Sequence, residues 1–371
     1  MASVVFYISG HGFGHAVRQI AIINALQSIA PALRVIVRTS APDWLFTRTV
    51  RGEITLAPAE TDTGLVQIDS LRPDVAASIA RAREFYTGFA DRARQECTWL
   101  RAQAVQLVIA DAPPLACAAA EHAGIPSVVC ANFTWDWIYG EYAAEPGVSD
   151  VVAAIGKAYA GAAAGWRMPL HGGFDTVRRV TDLPFVARQA RRDRSAADIR
   201  AELGLPADRR LALVSFGGYG LHQFPLERLD CTAEWDIVFT SSQPLPAGTL
   251  PRGVHSVDED RLYARGLRYE DVVKAMDAVV TKPGYGIVSD CVANGTAMLY
   301  TSRGRFAEYD VMVREMPKVL RCRFIDQADF SAGRWSDGLE ALHAAPPPPE
   351  QARTDGADVA ARMIVDAVSA P

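Results

Sequence analysis

An α/β fold of two doubly wound parallel-sheet domains, facing each other across a cleft, is predicted by three observations. Short apolar runs alternate with helical patterns along most of the 371 residues. A glycine turn follows the first strand of each half, at Gly10-His11-Gly12-Phe13-Gly14 and at Phe216-Gly217-Gly218-Tyr219-Gly220. Between the halves the alternation stops, as it does at a domain junction. A chain of this length that is 49% hydrophobic has enough apolar surface for two cores.

Taken in order, Val4–Ile8 is the first strand, ending in the loop Ser9-Gly10-His11-Gly12-Phe13-Gly14-His15, and Ile20–Ile29 the first helix. Arg34–Arg38 reads as the next strand. Pro73-Asp74 opens a long helix reaching Arg101, with Ile79, Phe85, Phe89 and Trp99 on one broad side. Strand Gln106–Ala110, helix Leu115–Ala123 and strand Ser127–Cys130 continue the pattern. From about Gly140 to Arg194 alanine, glycine and arginine dominate and Pro169, His171, Gly172 and Gly173 punctuate the chain, which reads as the approach to a linker. A second unit opens with helix Ala196–Leu203 and strand Leu211–Ser215. Strands Asp236–Thr240, Ala278–Thr281 and Ala297–Thr301 follow, with a helix over Ile287–Ala293. Pro346–Pro349 is a stiff spacer before a last helix, Asp355–Val368. The expected domains are 1–180 and 181–345, with 346–371 packing back on the first. In parallel sheets of this kind ligands bind at the carboxyl ends of the strands, so both sites open on the shared cleft.

Composition narrows the function. A formal charge of -5 argues against a general nucleic-acid binder. Arg188, Arg191, Arg192 and Arg194 are the densest positive cluster, but beside Asp193 in a linker they read as a solvated face. The six cysteines are scattered without a Cys-x-x-Cys pair, so neither zinc nor a disulfide framework is expected. With no secretory signal pattern and no run of about 18 apolar residues, the expected location is the cytoplasm; peripheral membrane contact stays open.

The motifs carry the chemistry. Glycines at 10, 12 and 14 allow close approach of a ligand to the backbone, and the opening turn of the following helix favours an anion. The spacing is G-x-G-x-G rather than G-x-G-x-x-G, and the second strand ends Val37-Arg38-Thr39-Ser40 without an acidic residue, which argues against NAD. His15 is suited to take a proton near neutral pH, or else merely caps the helix, and Arg18 shares its helical turn. Asp111, after a strand, either orients a histidine or caps a turn. Asn132-Phe133-Thr134-Trp135-Asp136-Trp137 crowds aromatics, an amide and a carboxylate as a sugar or acceptor surface would, with core packing as the plainer alternative. Gly284-Tyr285-Gly286 ahead of a helix, with Lys282, forms a second anion cradle. Asp290, near the first turn of that helix, is placed to accept from ribose hydroxyls or to serve the helix dipole. In the loop Arg303–Asp310 a carboxylate is placed to hold sugar hydroxyls.

Together Ser9–Arg18, Ala131–Tyr139 and Lys282–Asp290 resemble, in order and spacing, GT-B glycosyltransferases of the kind that includes the bacterial lipid-linked muropeptide N-acetylglucosaminyltransferase. They are most similar to the glycosyltransferase-like N-terminal region of plant L-arabinokinases. The likeness covers nearly the whole chain but not those proteins' kinase half, so arabinose phosphorylation is not implied. The resemblance implies two Rossmann-like domains and inverting, metal-independent transfer of a hexose-type sugar from a nucleotide-diphosphate sugar, a UDP-sugar by expectation, to an acceptor hydroxyl. His15 would be the base and Asp111 its partner. Gly217, Gly218, Lys282, Gly284, Tyr285 and Gly286 would hold the diphosphate, Asp290 the ribose and Glu308 the donor sugar. Gly10, His11, Gly12, Phe13, Gly14, Arg18, Asn132, Trp135 and Asp136 would line the acceptor side. No cofactor beyond the nucleotide sugar is expected. Two alternatives remain: hydrolysis of a nucleotide sugar at the same site, and nucleotide-sugar binding without turnover.

Overall fold

The structure, a computed structural model, describes residues 2–68, 72–216, 226–229, 234–240, 250–302, 304 and 306–369. The first unit runs β1 (Ser3–Ile8), α1 (Phe13–Ile29), β2 (Arg34–Thr39), α2 (Asp43–Thr49), β3 (Thr55–Pro58), α3 (Val75–Thr87), α4 (Phe89–Ala102), β4 (Leu107–Asp111), α5 (Pro114–Ala123), β5 (Ser127–Phe133), α6 (Trp135–Gly140), α7 (Val148–Ala160), β6 (Ala164–Gly172) and β7 (Val180–Asp182). Its strands lie in the order β3-β2-β1-β4-β5-β6-β7, all parallel. β1, β4 and β5 are buried throughout because helices cover both faces of the sheet, which is why they read as unbroken apolar runs.

The second unit runs α8 (Ala196–Leu203), β8 (Arg210–Ser215), β9 (Trp235–Thr240), β10 (Val254–Val257), α9 (Glu259–Ala264), α10 (Tyr269–Ala275), β11 (Ala278–Thr281), α11 (Tyr285–Asn294), β12 (Ala297–Tyr300), α12 (Ala307–Val319), β13 (Cys322–Phe324), α13 (Gln327–Ser331) and α14 (Ser336–His343). Its sheet, also parallel, has the order β10-β9-β8-β11-β12-β13. In each sheet the winding reverses beside the first strand, between β1 and β4 and between β8 and β11. At such a switch point two neighbouring loops diverge and leave a crevice.

Two expectations need correcting. The long helix from Asp74 is two helices, because Gly88 ends α3 and begins α4. Residues 140–194 are not a bare approach to a linker. α7 buries Val148, Val151, Ile155 and Tyr159 on one face, and β6 and β7 extend the first sheet two residues past 180.

The final helix, α15 (Gly356–Ser369), lies on α1 and places Ala360, Ala361 and Ile364 in the same buried cluster as Ala16, Ile20 and Ile23. Burying an isoleucine of this kind contributes about 1.5–3 kcal/mol. The chain therefore crosses between units twice, and the crossings are bonded to each other. Phe185 N–H donates to Arg353 O at 3.0 Å, and Gly356 N–H to Phe185 O at 3.0 Å. Gly356 allows this approach, since a β-carbon there would fall 2.2 Å from Pro184 O. Beyond Phe185 the linker is clamped to the second unit. Asn294 Oδ1 accepts from Ala190 N–H at 2.9 Å, Asp271 Oδ1 accepts from Arg191 N–H at 2.9 Å, and Lys274 Nζ donates to Arg191 O and Arg194 O.

Candidate active site

Both switch points open on one cleft of about 700 Å³, lined from the first unit by His11–His15, Arg18 and Trp135 and from the second by Ser215, Lys282–Gly286 and Glu308. α1 and α11 enter it end-on. A β-carbon on Gly286 would lie 3.8 Å from Gly14 Cα, so two helix N-termini converge with only glycine between them. The dipoles and opening N–H groups of the two helices make this junction favourable for a negative charge. Gly12 supports the geometry with φ of 73°, a conformation few other residues adopt at low cost.

His15 is 4% exposed in the first turn of α1, and Asp111 is fully buried at the end of β4. The β1–β4 pairing sets Ile8 beside Asp111, which brings the glycine loop over the carboxylate. His15 Nδ1 lies 2.9 Å from Asp111 Oδ1. Arg18 donates through Nε to Asp111 Oδ2 at 2.5 Å and through Nη2 to Oδ1, and Gln19 Nε2 donates to Oδ2 at 2.9 Å. Burial alone would push the Asp111 carboxyl up. The charges of Arg18 and His15 and their hydrogen bonds outweigh it and hold this group below the usual carboxylate range. Nδ1 also lies 2.6 Å from Arg18 Nη2. One Nδ1 atom cannot donate to Asp111 and accept from Arg18 at once, so the ring's tautomer decides which contact is the hydrogen bond. Arg18 already reaches Asp111 through two nitrogens, whereas donation from Nδ1 fills Oδ1 and leaves Nε2 with its lone pair.

The sequence offered no sign of Asp62, which lies in an irregular segment behind this dyad. Its carboxylate accepts from Ser9 Oγ at 3.0 Å and from Trp135 Nε1 at 2.9 Å, while Ser9 Oγ accepts from His11 N–H at 3.2 Å. Asp62 therefore ties the glycine loop to the aromatic wall. Burial pushes its carboxyl up to about 6, with the His15 charge and its two hydrogen-bond donors resisting. Trp135 meets His11 edge-on and stacks over His15 at 6.4 Å, and Phe133 bridges to Tyr285 of the second unit at 5.9 Å.

Several expected site residues take other roles. Asn132 does not line the cleft; its Nδ2 donates to Pro169 O at 2.7 Å and ties β5 to β6. Asp136 turns away as well, accepting from Thr176 Oγ1 at 2.8 Å. Gly10 is required by packing rather than by a ligand, since a β-carbon there would fall 2.1 Å from Ser40 Oγ. Asp290 is 1% exposed and does not reach the cleft. Its Oδ1 accepts from Arg188 N–H at 3.0 Å and its Oδ2 from Arg188 Nε at 3.0 Å, so both oxygens fix the linker. Arg188 is thus no part of a solvated face, and Arg191 and Arg192 line the cleft beside it. Gly217 and Gly218 lie outside the described residues. No group of three or more side chains suited to hold a metal ion occurs among the described residues, and no helix there is long and apolar enough to cross a membrane.

Two Rossmann-like domains with parallel sheets of seven and six strands, opposed across a cleft, define the GT-B fold. Among solved structures the chain is similar to CalG4, the calicheamicin glycosyltransferase, with a TM-score of 0.66 at 15% identity and full coverage of both chains. It is similar to the glycosyltransferase VinC in complex with dTDP (TM-score 0.55, 17% identity, 99% and 95% coverage) and to MurG of Acinetobacter baumannii (TM-score 0.52, 11% identity, 99% and 100% coverage). In sequence it is 30% identical over 372 residues to the L-arabinokinase of Arabidopsis thaliana, a match covering 97% of this chain. The chain spans about a third, 34%, of that relative's length. No family model matches.

Proposed function

We propose that the protein transfers a sugar from a nucleoside-diphosphate sugar, a UDP-sugar in the first instance, to an acceptor hydroxyl with inversion at the anomeric carbon. The observation that carries this reading is the convergence of α1 and α11 at Gly14 and Gly286, with His15 on one side and Lys282 on the other. His15 Nε2 takes the proton of the acceptor hydroxyl. The acceptor oxygen forms its bond to the anomeric carbon as the bond from that carbon to the diphosphate oxygen breaks. The new charge on the leaving diphosphate meets the α11 N-terminus and the Lys282 ammonium, where fixed dipoles stabilise it in the transition state. Asp111 holds the imidazole and stabilises the imidazolium, and Arg18 keeps Asp111 ionised. Trp135 and Phe133 form the acceptor wall, and Glu308, 7% exposed at the start of α12, takes hydroxyls of the donor sugar. None of these steps calls on a metal ion.

The structure of VinC with dTDP and the sequence likeness to L-arabinokinase support a nucleotide-and-sugar reading of the cleft. Calorimetric titration of UDP, dTDP, GDP, ADP and CDP into the wild type and Lys282→Ala tests it. Binding of one diphosphate, weakened at least tenfold in the variant, is the expected result. No binding by any of them removes the proposal, and release of free sugar when the matching nucleotide sugar is incubated without an acceptor would redirect it to hydrolysis.

A further inference from the structure

The proton that His15 takes up leaves a charge that its bonded partners do not balance. Arg18 and Asp111 form a buried pair, with Arg18 donating through Nε and Nη2 to both carboxylate oxygens, so their charges largely cancel. An imidazolium added beside them is a net positive charge in a pocket where His15 and Arg18 are each 4% exposed. A buried charge without a counter-charge is strongly unfavourable.

Residues 61–65, between β3 and α3, carry a second carboxylate to this place. The segment has no regular secondary structure and is nevertheless buried throughout, whereas irregular segments ordinarily run over the surface. Thr61 Oγ1 donates to Ile8 O at 3.3 Å, and the Tyr139 hydroxyl donates to Gly64 O at 2.7 Å. Gly64, with φ of 58°, packs so tightly on the glycine loop that a β-carbon there would fall 2.5 Å from His11 Cβ. Asp62 is thus held from β1, the glycine loop and α6. It is 5% exposed and does not line the cleft. Both groups that donate to it, Ser9 Oγ and Trp135 Nε1, are neutral, so no cation among its hydrogen-bond partners cancels its charge. Trp135 joins it to the base, its Nε1 on Asp62 and its ring stacked over His15 with 24° between the planes. Of the charges around Asp62, His15 favours its ionised form and Asp111 opposes it. Tyr86 of α3 and Tyr139 of α6 face it as neutral phenols, both hydroxyls pushed up by burial.

We infer that Asp62 is the counter-charge of the His15 imidazolium, a positioning residue that touches no substrate and stabilises the protonated base from behind the Trp135 indole. This rests on the reading of His15 as the base. Asp111 then sets the tautomer and orientation of the ring, and Asp62 supplies the negative charge that Arg18 withholds from it. Keeping a carboxylate buried on neutral donors costs stability, a cost that active sites carry where it serves the chemistry.

The test is nuclear magnetic resonance of protein labelled in the histidine ring carbons and tryptophan indole nitrogens, titrated from about pH 4.5 to 8.5. Wild type, Asp62→Asn, Asp62→Glu, Ser9→Ala and His15→Ala are compared, the last also assigning the His15 signal. Asp62→Asn removes the charge and should lower the midpoint of the His15 signal by about one pH unit. Ser9→Ala keeps the carboxylate and removes one of its hydrogen bonds, and should move that midpoint by less than about a third as much. Asp62→Glu should restore it. The coupling is reciprocal: the Trp135 indole signal should follow Asp62 with a midpoint of about 6, and in His15→Ala that midpoint should rise. An unmoved His15 midpoint in Asp62→Asn, or an equal fall in Ser9→Ala, overturns the assignment. Should Asp62→Asn fail to fold, an unmoved Trp135 midpoint in His15→Ala overturns it alone. Calorimetric titration of UDP, dTDP, GDP, ADP and CDP keeps the underlying reading separate. Equal affinity of wild type and Asp62→Asn for the diphosphate that binds is expected, because Asp62 lies off the cleft. Silence of the wild type toward all five overturns the reading of the cleft, and with it any part for Asp62 in transfer.

Discussion

Gly14 and Gly286 belong to different domains, yet the Cα of one lies 3.8 Å from where a β-carbon on the other would sit. The distance is an ordinary van der Waals contact, so a methyl group at 286 fits without moving the backbone. It would occupy space between two converging helix N-termini, where the proposed diphosphate approaches the backbone most closely. Gly286→Ala should leave the melting temperature near that of the wild type and weaken nucleoside-diphosphate binding by about tenfold, as measured by calorimetry. A variant that binds as well as the wild type would move the diphosphate away from this junction.

His15 separates chemistry from binding. Its replacement by alanine should lower turnover by about 10²–10⁴ while leaving diphosphate affinity within a factor of two to three. Asp111→Asn should have a similar effect on turnover and also destabilise the fold. Arg18 is 4% exposed and would lose its counter-charge, a change that costs about 3–5 kcal/mol when one partner of a buried pair is removed. Steady-state kinetics and thermal melts of the two variants, compared side by side, check both halves.

Asp290 should behave as a structural residue. In Asp290→Asn the Arg188 guanidinium, 23% exposed, loses its ionic partner, and a destabilisation of about 2–3 kcal/mol is expected, below the fully buried case. Nucleoside-diphosphate affinity of the folded variant should be unchanged. A selective loss of ribonucleotide binding with no loss of stability would restore the ribose role to Asp290.

Asp62 makes stability depend on pH with an unusual sign. Its folded-state carboxyl, up at about 6, binds a proton that the unfolded chain releases near the ordinary value of 3.8. The folded state therefore holds more protons between those values, and this group's contribution falls as pH rises from about 4 to 6, then levels off. Asp111, held low, has the opposite sign, and its contribution is lost only as pH falls below the ordinary carboxylate range. Asp62→Asn should thus raise stability at pH 7 by on the order of 1–3 kcal/mol relative to pH 4. Denaturant melts of both proteins across that range measure it; a constant difference between them would rule out the assignment.

What could be read from the sequence follows physical lines. β1, β4, β5 and β11 were legible because strands covered on both faces are continuously apolar and short, and the glycine loop after β1 because a turn at a switch point needs small residues. His15 and Asp111 were legible as candidate partners, and the β1–β4 pairing supplies the contact that a linear pattern leaves open. α7 was missed although Val148, Val151, Ile155 and Tyr159 keep a helical spacing, because the alanines between them flatten the contrast. Asp62 left no trace, since a lone carboxylate in a coil segment gains its meaning from Ser9 and Trp135, far away in sequence. Arg188 and Asp290 misled in a matched way. Each looked available, one to solvent and one to ribose, because the ion pair between them joins residues 102 apart.

The bonded crossings at Phe185, Arg353 and Gly356 also describe how the molecule is divided as a piece of chain. The first sheet and its closing helix α15 form one body whose sequence is interrupted, and the entire second sheet is carried in the interruption. Entry and exit of that insert lie side by side, held by two backbone hydrogen bonds. The second domain is in this sense a cassette: its boundaries are adjacent in space, and exchanging it requires two joins at one place rather than rebuilding a surface.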